Sequence, residues 1–227
     1  MTNYTFKDSV RIDVQNVSLI GDLSIPENAK GLVVFSHGSG SSRLSSRNRF
    51  VAEHLQRSGF ATLLFDLLTE EEDQEYKNRF DIPKLTDRLV ETTYWLQKDP
   101  RTKNFNIAFF GASTGAASAI GASVAVGPDI AKAVVSRGGR PDLADTVLPD
   151  LQVPTLLIVG GKDEAVLEMN IQASNQMQCI KDVEIVPDAT HLFEEPGALE
   201  MVAQLATDWF RKYLEPGKQH PLHQDRP

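Results

Sequence analysis

The sequence lacks the features that define several classes of protein. Its single cysteine, Cys179, excludes an internal disulfide and a thiolate metal cluster. No window approaches the ~18 apolar residues that a transmembrane helix needs. Met1 to Val14 contain no apolar stretch of the length found in signal peptides. We therefore expect a cytoplasmic protein without a membrane partner.

Positive charge is also scarce. The chain carries 23 Lys and Arg against 31 Asp and Glu, a formal net charge of −8 at pH 7, and it has no block of basic residues. Such a chain has no global field that attracts nucleic acid, so we expect no nucleic-acid partner. The hydrophobic content of 41% and the length of 227 residues suit one globular domain. The sequence does not determine an oligomeric state.

Short apolar runs alternate with longer amphipathic ones, which indicates an α/β protein with βαβ units around a parallel sheet. We predict one domain over residues 1–215 and a disordered polar tail over 216–227, in which His220 and His223 belong to an exposed linker rather than a metal site. About six helices accompany the strands. The strands are predicted at Val10–Val14, Val17–Ile25, Leu32–Phe35, Ala61–Phe65, Asn106–Phe110, Ala131–Val135, Thr155–Val159 and Val183–Val186.

Helical spacing of apolar residues predicts which helix faces are buried. In the helix from about Pro83 to Gln97 the buried face carries Leu85, Leu89, Thr93 and Leu96. In the closing helix, from Gly197 to about Leu214, it carries Val202, Leu205, Trp209 and Tyr213. The polar, acidic stretch from Leu67 to Asp81 is predicted to be an exposed connection.

The strongest motif is Gly111-Ala112-Ser113-Thr114-Gly115, a G-x-S-x-G pattern between a predicted strand and a predicted helix. A serine on such a sharp turn has a strained backbone and a hydroxyl held above the sheet edge. The glycines remove the Cβ atoms that would collide where the helix folds back across the strand. Ser113 is therefore the predicted nucleophile.

A serine hydroxyl needs a base to remove its proton, so one of the five histidines has to serve. His220 and His223 lie in the tail, and His54 lies in the middle of a helix. His37 adjoins the glycine-rich loop after the third strand and is expected to order that loop. His191 follows the last strand, where an α/β sheet assembles its sites, and is the predicted general base.

The imidazole in turn needs a carboxylate that fixes its tautomer. Asp163 follows the seventh strand and a Gly-Gly turn, and the order Ser, Asp, His favours it. The rivals are Glu164 next to it, Asp66 at the end of the fourth strand, and Asp188 three residues before His191.

Attack by serine creates an oxyanion, which needs two preorganised donors. The backbone N–H of Thr114 is one predicted donor. The other is predicted in the glycine-rich loop 36–42, where the N–H of Ser39 is our choice.

At these residues the sequence resembles the α/β-hydrolase superfamily and, within it, the dienelactone hydrolase-like family. The matching stretches are VVFSHGSGSS, FFGASTGAA, LLIVGGKDEAV and DATHLF. The resemblance implies a three-layer α/β-hydrolase fold with an eight-stranded, mostly parallel sheet, helices on both faces and an antiparallel second strand. It also implies ester hydrolysis without a metal or organic cofactor. Dienelactone hydrolases use a cysteine nucleophile, whereas this chain has Ser113, so a small carboxylic ester or lactone is the expected substrate.

Two further expectations concern the mouth of the site. The short connection from Ser136 to Pro141 leaves no room for a lid domain. Arg43 and Arg47 lie beyond the oxyanion loop, and Arg137 and Arg140 follow the sixth strand. We predict that one or two of these four arginines bind a substrate carboxylate or phosphate. Pairing with the acidic run Glu70–Glu75 or with other surface carboxylates is the alternative for all four.

Two other functions stay open. Gly111, Gly115 and Gly121 loosely match a dinucleotide-binding pattern, but their spacing is wrong and Arg137 stands where an acidic residue is expected. The loop 36–42 lacks the lysine of a P-loop. A non-catalytic binding protein of the same fold is the second alternative, because a fold does not dictate a function.

Overall fold

The computed structural model describes residues 2–215, and its centre is one eight-stranded sheet. The strands lie in the order β1-β2-β4-β3-β5-β6-β7-β8. β2 is antiparallel to both of its neighbours, and the pairs from β4 to β8 are all parallel. Their bounds are β1 Tyr4–Val14, β2 Val17–Pro26, β3 Leu32–Ser36, β4 Ala61–Phe65, β5 Ile107–Ala112, β6 Ala131–Arg137, β7 Thr155–Gly160 and β8 Lys181–Val186.

Six α-helices connect these strands within the described chain, and short 3₁₀ helices span Tyr76–Phe80 and Pro141–Asp150. The α-helices are α1 Ser46–Arg57, α2 Glu70–Asp73, α3 Ile82–Lys98, α4 Thr114–Val126, α5 Glu164–Gln176 and α6 Ala198–Leu214. Parallel strands end at one edge of the sheet, so the loops after β3, β5, β6, β7 and β8 meet there. That edge is where the sequence places its chemical groups.

Each face of the sheet has its own hydrophobic core, which confirms the predicted three-layer α/β-hydrolase architecture. On one face, Val51 and Leu55 of α1 pack with Val202 and Phe210 of α6. On the other face, α3 and α4 pack against alternate residues of the same strands. The predicted face of α3 is confirmed, since Leu85, Leu89, Thr93 and Leu96 are all buried. No lid domain lies between β6 and β7, where the described chain contains short 3₁₀ turns.

The structure differs from the prediction in three places. β1 begins at Tyr4 instead of Val10, because an edge strand with exposed polar residues shows little hydrophobic pattern. The stretch 67–81, predicted as an exposed connection, has no buried residue after Leu68, but it contains α2 and a 3₁₀ helix, and Thr69 and Glu72 form a capping box there. α6 turns a neighbouring face inward, so that Ala203, Ala206 and Phe210 are buried while Leu205, Trp209 and Tyr213 are only partly buried.

No helix of residues 2–215 is long and apolar enough to cross a membrane. The predicted tail 216–227, with His220 and His223, lies outside the described residues.

Candidate active site

Ser113 occupies the sharp turn between β5 and α4. Its backbone angles are φ 53° and ψ −123°, a strained conformation for a residue with a side chain. Serine is a favoured helix N-cap, yet the Ser113 side chain makes no capping hydrogen bond to α4. The hydroxyl is therefore not used to stabilise the helix that it begins.

The glycines of the motif permit the close approach that this turn requires. A Cβ atom on Gly115 would lie 2.2 Å from the carbonyl oxygen of Ser36, at the end of β3. A Cβ atom on Gly111 would lie 2.5 Å from the Cα of Ala116. Both distances are far inside van der Waals contact, so the turn is built only with glycine at these two positions.

Asp163 and His191 are joined by a hydrogen bond. The Nδ1–H group of His191 donates to Oδ2 of Asp163 at 2.6 Å, across 28 residues of sequence. Because Nδ1 is used by the carboxylate, Nε2 is the imidazole nitrogen left to accept a proton. Asp163 is the N-cap residue of α5, but its side chain makes no capping bond to that helix. Like Ser113, it is a residue type that favours helix N-caps, yet its side chain does not cap the helix that follows.

Of the predicted rivals to Asp163, none forms a hydrogen bond or ion pair with His191 in the described residues. Asp188 pairs with Lys162 at 3.2 Å and is largely exposed, and Asp66 accepts two hydrogen bonds from Arg43.

The imidazole of His191 lies close to the strand end that holds Ser113. A Cβ atom on Gly138 would lie 3.5 Å from Cε1 of His191. The residue before Gly138 is Arg137, whose carbonyl oxygen accepts the Ser113 N–H at 3.2 Å. Within the described chain no hydrogen bond joins Ser113 Oγ to His191. Such contacts are often long without substrate and tighten when the substrate binds.

The glycine-rich loop after β3 lies against Ser113. A Cβ atom on Gly38 would lie 3.1 Å from the Cβ of Ser113. The N–H of Ser39, one of the two predicted oxyanion donors, donates to Oγ1 of Thr114 at 2.8 Å. This bond, which has no signal in the sequence, ties the loop to the first residue of α4. The N–H of Thr114, the other predicted donor, has no acceptor among residues 2–215.

His37 links the glycine-rich loop after β3 to the loop after β4 by two hydrogen bonds. Its Nδ1–H donates to the carbonyl oxygen of Gly38 at 3.0 Å, and its Nε2 accepts the N–H of Leu67 at 3.1 Å. Burial lowers the pKa of His37, although the bond to Gly38 and the charges of Asp66 and Asp73 oppose this. The ring is therefore neutral and joins the loop after β3 to the loop after β4, in keeping with the ordering role predicted for it.

Three of the predicted substrate-binding arginines, Arg43, Arg140 and Arg137, have different surroundings. Arg43 is ion-paired with Asp66 at 2.6 Å, and Arg140 forms a two-pronged ion pair with Asp142 at 2.8 and 2.7 Å. These two guanidinium groups are neutralised inside the chain. Arg137, the last residue of β6, is buried and has no carboxylate partner in the described chain.

Other reactive side chains lie away from this edge. His54 is in the interior of α1, and Cys179 is partly buried beside the core, where burial raises the pKa of its thiol. No three His, Cys, Asp or Glu side chains among residues 2–215 are grouped as metal ligands.

Comparison with known proteins identifies the family. The model of the dienelactone hydrolase family matches residues 20–219. The chain belongs to the dienelactone hydrolase family. A crystal structure of dienelactone hydrolase from Anabaena variabilis is 52% identical, with a TM-score of 0.90 over 92% of this chain and 99% of that one. The predicted resemblance to this branch of the α/β-hydrolase superfamily is confirmed, and family and fold together support a hydrolase.

Two further proteins are similar to this chain, one in fold and one in sequence. Est1E from Butyrivibrio proteoclasticus shares the fold at 18% identity, with a TM-score of 0.77 over 90% of this chain and 98% of that one. A Mycobacterium tuberculosis protein that carries the provisional name phosphoribosyl transferase is 52% identical over 207 residues. That match covers 91% of this chain, which in turn spans 46% of the length of the mycobacterial relative.

Proposed function

We propose that this protein is a serine esterase that hydrolyses small carboxylic esters or lactones through an acyl-enzyme on Ser113. The observation that carries the proposal is the 2.6 Å hydrogen bond between His191 and Asp163, located beside a strained and uncapped serine. A helix N-cap serine and a helix N-cap aspartate both withhold their side chains from capping, and both lie at the same edge of the sheet. Stability alone gives no reason for this arrangement.

The proposed reaction begins when Oγ of Ser113 attacks the carbonyl carbon of the substrate. Nε2 of His191 takes the hydroxyl proton as the new C–O bond forms, and Asp163 stabilises the resulting imidazolium. His191 then gives this proton to the leaving oxygen, and the original C–O bond breaks. Water attacks the acyl-enzyme with His191 again as base, and the carboxylic acid leaves as Ser113 regains its proton.

Two donors face the oxyanion in this scheme. One is the N–H of Thr114 at the start of α4, where the helix dipole adds positive potential. The second donor involves the loop after β3. Because Oγ1 of Thr114 already accepts the Ser39 N–H, its own hydroxyl proton is available to the oxyanion. Ser39 therefore acts through the Thr114 hydroxyl, which it orients and polarises.

The mycobacterial relative raises phosphoribosyl transfer as another activity. This chain spans 46% of that protein, so the name can derive from the part that has no counterpart here. A histidine–aspartate pair beside a strained serine is the arrangement that acyl transfer requires, and it supports that reaction over phosphoribosyl transfer. A non-catalytic binding protein is the remaining alternative.

Labelling with a fluorophosphonate probe tests the proposal directly, since the probe modifies only an activated serine. We expect the wild type and a Ser174→Ala control on α5 to be labelled, and Ser113→Ala and His191→Ala to remain unlabelled. Hydrolysis of p-nitrophenyl esters of increasing chain length should favour short acyl groups. Loss of Ser113 or His191 should lower kcat by about 10⁴-fold. Full activity in clean Ser113→Ala protein would refute the proposal.

A further inference from the structure

Arg137 is a buried guanidinium without a counter-charge in the part of the chain that the structure describes. It is 8% exposed and ends β6 at the edge where the site lies. Its side chain is on the same face of the sheet as Ala133 and Val135, which belong to the core under α1 and α6. No hydrogen bond or ion pair to its guanidinium exists within residues 2–215, and Nη1 is buried without any partner. This combination is rare, because a buried charge is strongly unfavourable unless it is paired.

Arg88, which is equally buried, has a carboxylate partner. Arg88 is also 8% exposed, and it donates to Oε1 of Glu72 at 2.8 Å. Arg43 and Arg140 have carboxylate partners even though they are more exposed. Arg137 thus differs from the other three in the lack of a partner rather than in the degree of burial.

Arg47 adds positive charge at the same place. It is the second residue of α1, and its charge acts together with burial, the larger cause, to lower the pKa of Arg137 to about 10. Arg137 therefore remains charged at neutral pH. Nε of Arg47 is itself buried without a partner, and its Nη1 lies 3.4 Å from Oε1 of Glu194. Glu194 is 66% exposed at its side chain, so it is a weakly held counter-charge for Arg47.

The two arginines belong to the active edge. The carbonyl oxygen of Arg137 accepts the N–H of Ser113, and the next residue, Gly138, lies against the ring of His191. Glu194 follows His191 by three residues in the same loop. An anion held between the two guanidinium groups would thus be a neighbour of the proposed nucleophile and base.

We infer that Arg137 and Arg47 form an anion-binding subsite of the active site, which takes a carboxylate or phosphate group carried by the substrate. The inference rests on the proposed function in that it defines the substrate class as negatively charged esters or lactones. Planar guanidinium groups bind both kinds of oxyanion through paired hydrogen bonds. The guanidinium group of Arg137, and that of Arg47 through its unpaired Nε, supply the charge and donors for one such group.

Three matched p-nitrophenyl esters test the substrate class: one neutral, one with a terminal carboxylate and one with a terminal phosphate. The measured quantity is kcat/KM for each anionic ester divided by kcat/KM for the neutral ester. We expect Arg137→Met to lower this ratio by about 10- to 100-fold, the effect of one lost charge-assisted contact. The control Arg49→Met, on the same helix as Arg47 and paired with Asp22, should leave it unchanged.

The result also identifies the anion. A high ratio for the carboxylate ester alone assigns a carboxylate, a high ratio for the phosphate ester alone assigns a phosphate, and both support the subsite. A ratio near one in the wild type, or one that Arg137→Met leaves unchanged, overturns the inference.

A binding experiment separates this inference from the proposed esterase activity. Thermal unfolding is measured with increasing succinate or inorganic phosphate at constant ionic strength. We expect at least one of the anions to raise the Tm of the wild type and of Ser113→Ala, but not of Arg137→Met. Without anion, Arg137→Met should melt at the same or a higher temperature than the wild type, because it removes an unpaired buried charge.

The outcomes remain distinct. If no ester is hydrolysed but the Tm shift depends on Arg137, the esterase proposal fails and the anion site stands. If Arg137→Met melts lower and no anion shifts the wild-type Tm, Arg137 is a structural residue and the inference fails.

Discussion

Replacing Asp163 by asparagine should disable the proposed base while leaving the fold intact. The carboxylate accepts the Nδ1–H of His191 at 2.6 Å and makes no capping bond to α5, so its loss affects the imidazole rather than the helix. An asparagine amide that donates to Nδ1 would favour the tautomer with a proton on Nε2. That nitrogen then cannot accept the proton of Ser113.

The magnitude follows from the exposure of the pair. A hydrogen bond to a charged group contributes about 1.5–3 kcal/mol, or roughly 10- to 150-fold in rate. The loss of the correct tautomer increases the effect. Water works in the opposite direction, since the side chains of His191 and Asp163 are 39% and 17% exposed and water can partly replace the lost partner. We expect kcat to fall by about 10²-fold, less than on loss of Ser113 or His191.

The assay is steady-state hydrolysis of p-nitrophenyl acetate, with the Tm measured in parallel. KM should change little, because Asp163 does not touch the substrate in the proposed mechanism. Asp188→Asn is the matched control: Asp188 precedes His191 by three residues, pairs with Lys162 and is 83% exposed at its side chain. Wild-type kcat in Asp163→Asn, or an equal loss in Asp188→Asn, would show that the hydrogen bond has no catalytic role.

Three further predictions follow from the same edge of the sheet. Gly115→Ala places a Cβ atom 2.2 Å from the carbonyl oxygen of Ser36 and should lower the free energy of unfolding in urea by about 1–3 kcal/mol. The control Gly161→Ala, whose new Cβ atom would have its nearest neighbour at 3.4 Å, should lower it less, and equal losses would contradict the steric explanation. Thr114→Val removes the proposed hydroxyl donor and should lower kcat for p-nitrophenyl acetate by about 10²-fold. The control Thr114→Ser keeps the hydroxyl and should keep most of the rate. An unchanged kcat in Thr114→Val would exclude the hydroxyl as a donor. Burial lowers the pKa of His37, so as the pH falls the unfolded state takes up this proton before the folded state does. The contribution of His37 to the free energy of unfolding should therefore be complete above about pH 6.5 and decrease below it. The same pH dependence in a His37→Gln variant would assign the effect to another group.

The sheet and the turn at Ser113 were predicted well because their signals are local. A buried parallel strand is a short apolar run, and all of the predicted strands are present with shifts at their ends. β1 was predicted too short because Lys7 and Asp8 lie on an exposed edge. The face of α6 was displaced because Ala203 and Ala206, which are small, make the close contact with the sheet in place of the larger Leu205 and Trp209.

The amino-acid sequence by itself determined the alternation of strands and helices, the glycine-flanked serine and the short set of residues that could serve it as base and acid. These depend on side-chain period, on backbone sterics and on the few histidines available, all of which can be read along the chain. Tertiary structure alone decided which charges remained unpaired. Arg43 forms ion pairs with Asp66 and Asp22, which follow or lie on other strands. Arg137, by contrast, is buried near the charge of Arg47 and has no carboxylate partner within residues 2–215. Ion pairing depends on distances in space between groups far apart in sequence, so only the folded chain separates an arginine that is paired from one that is not.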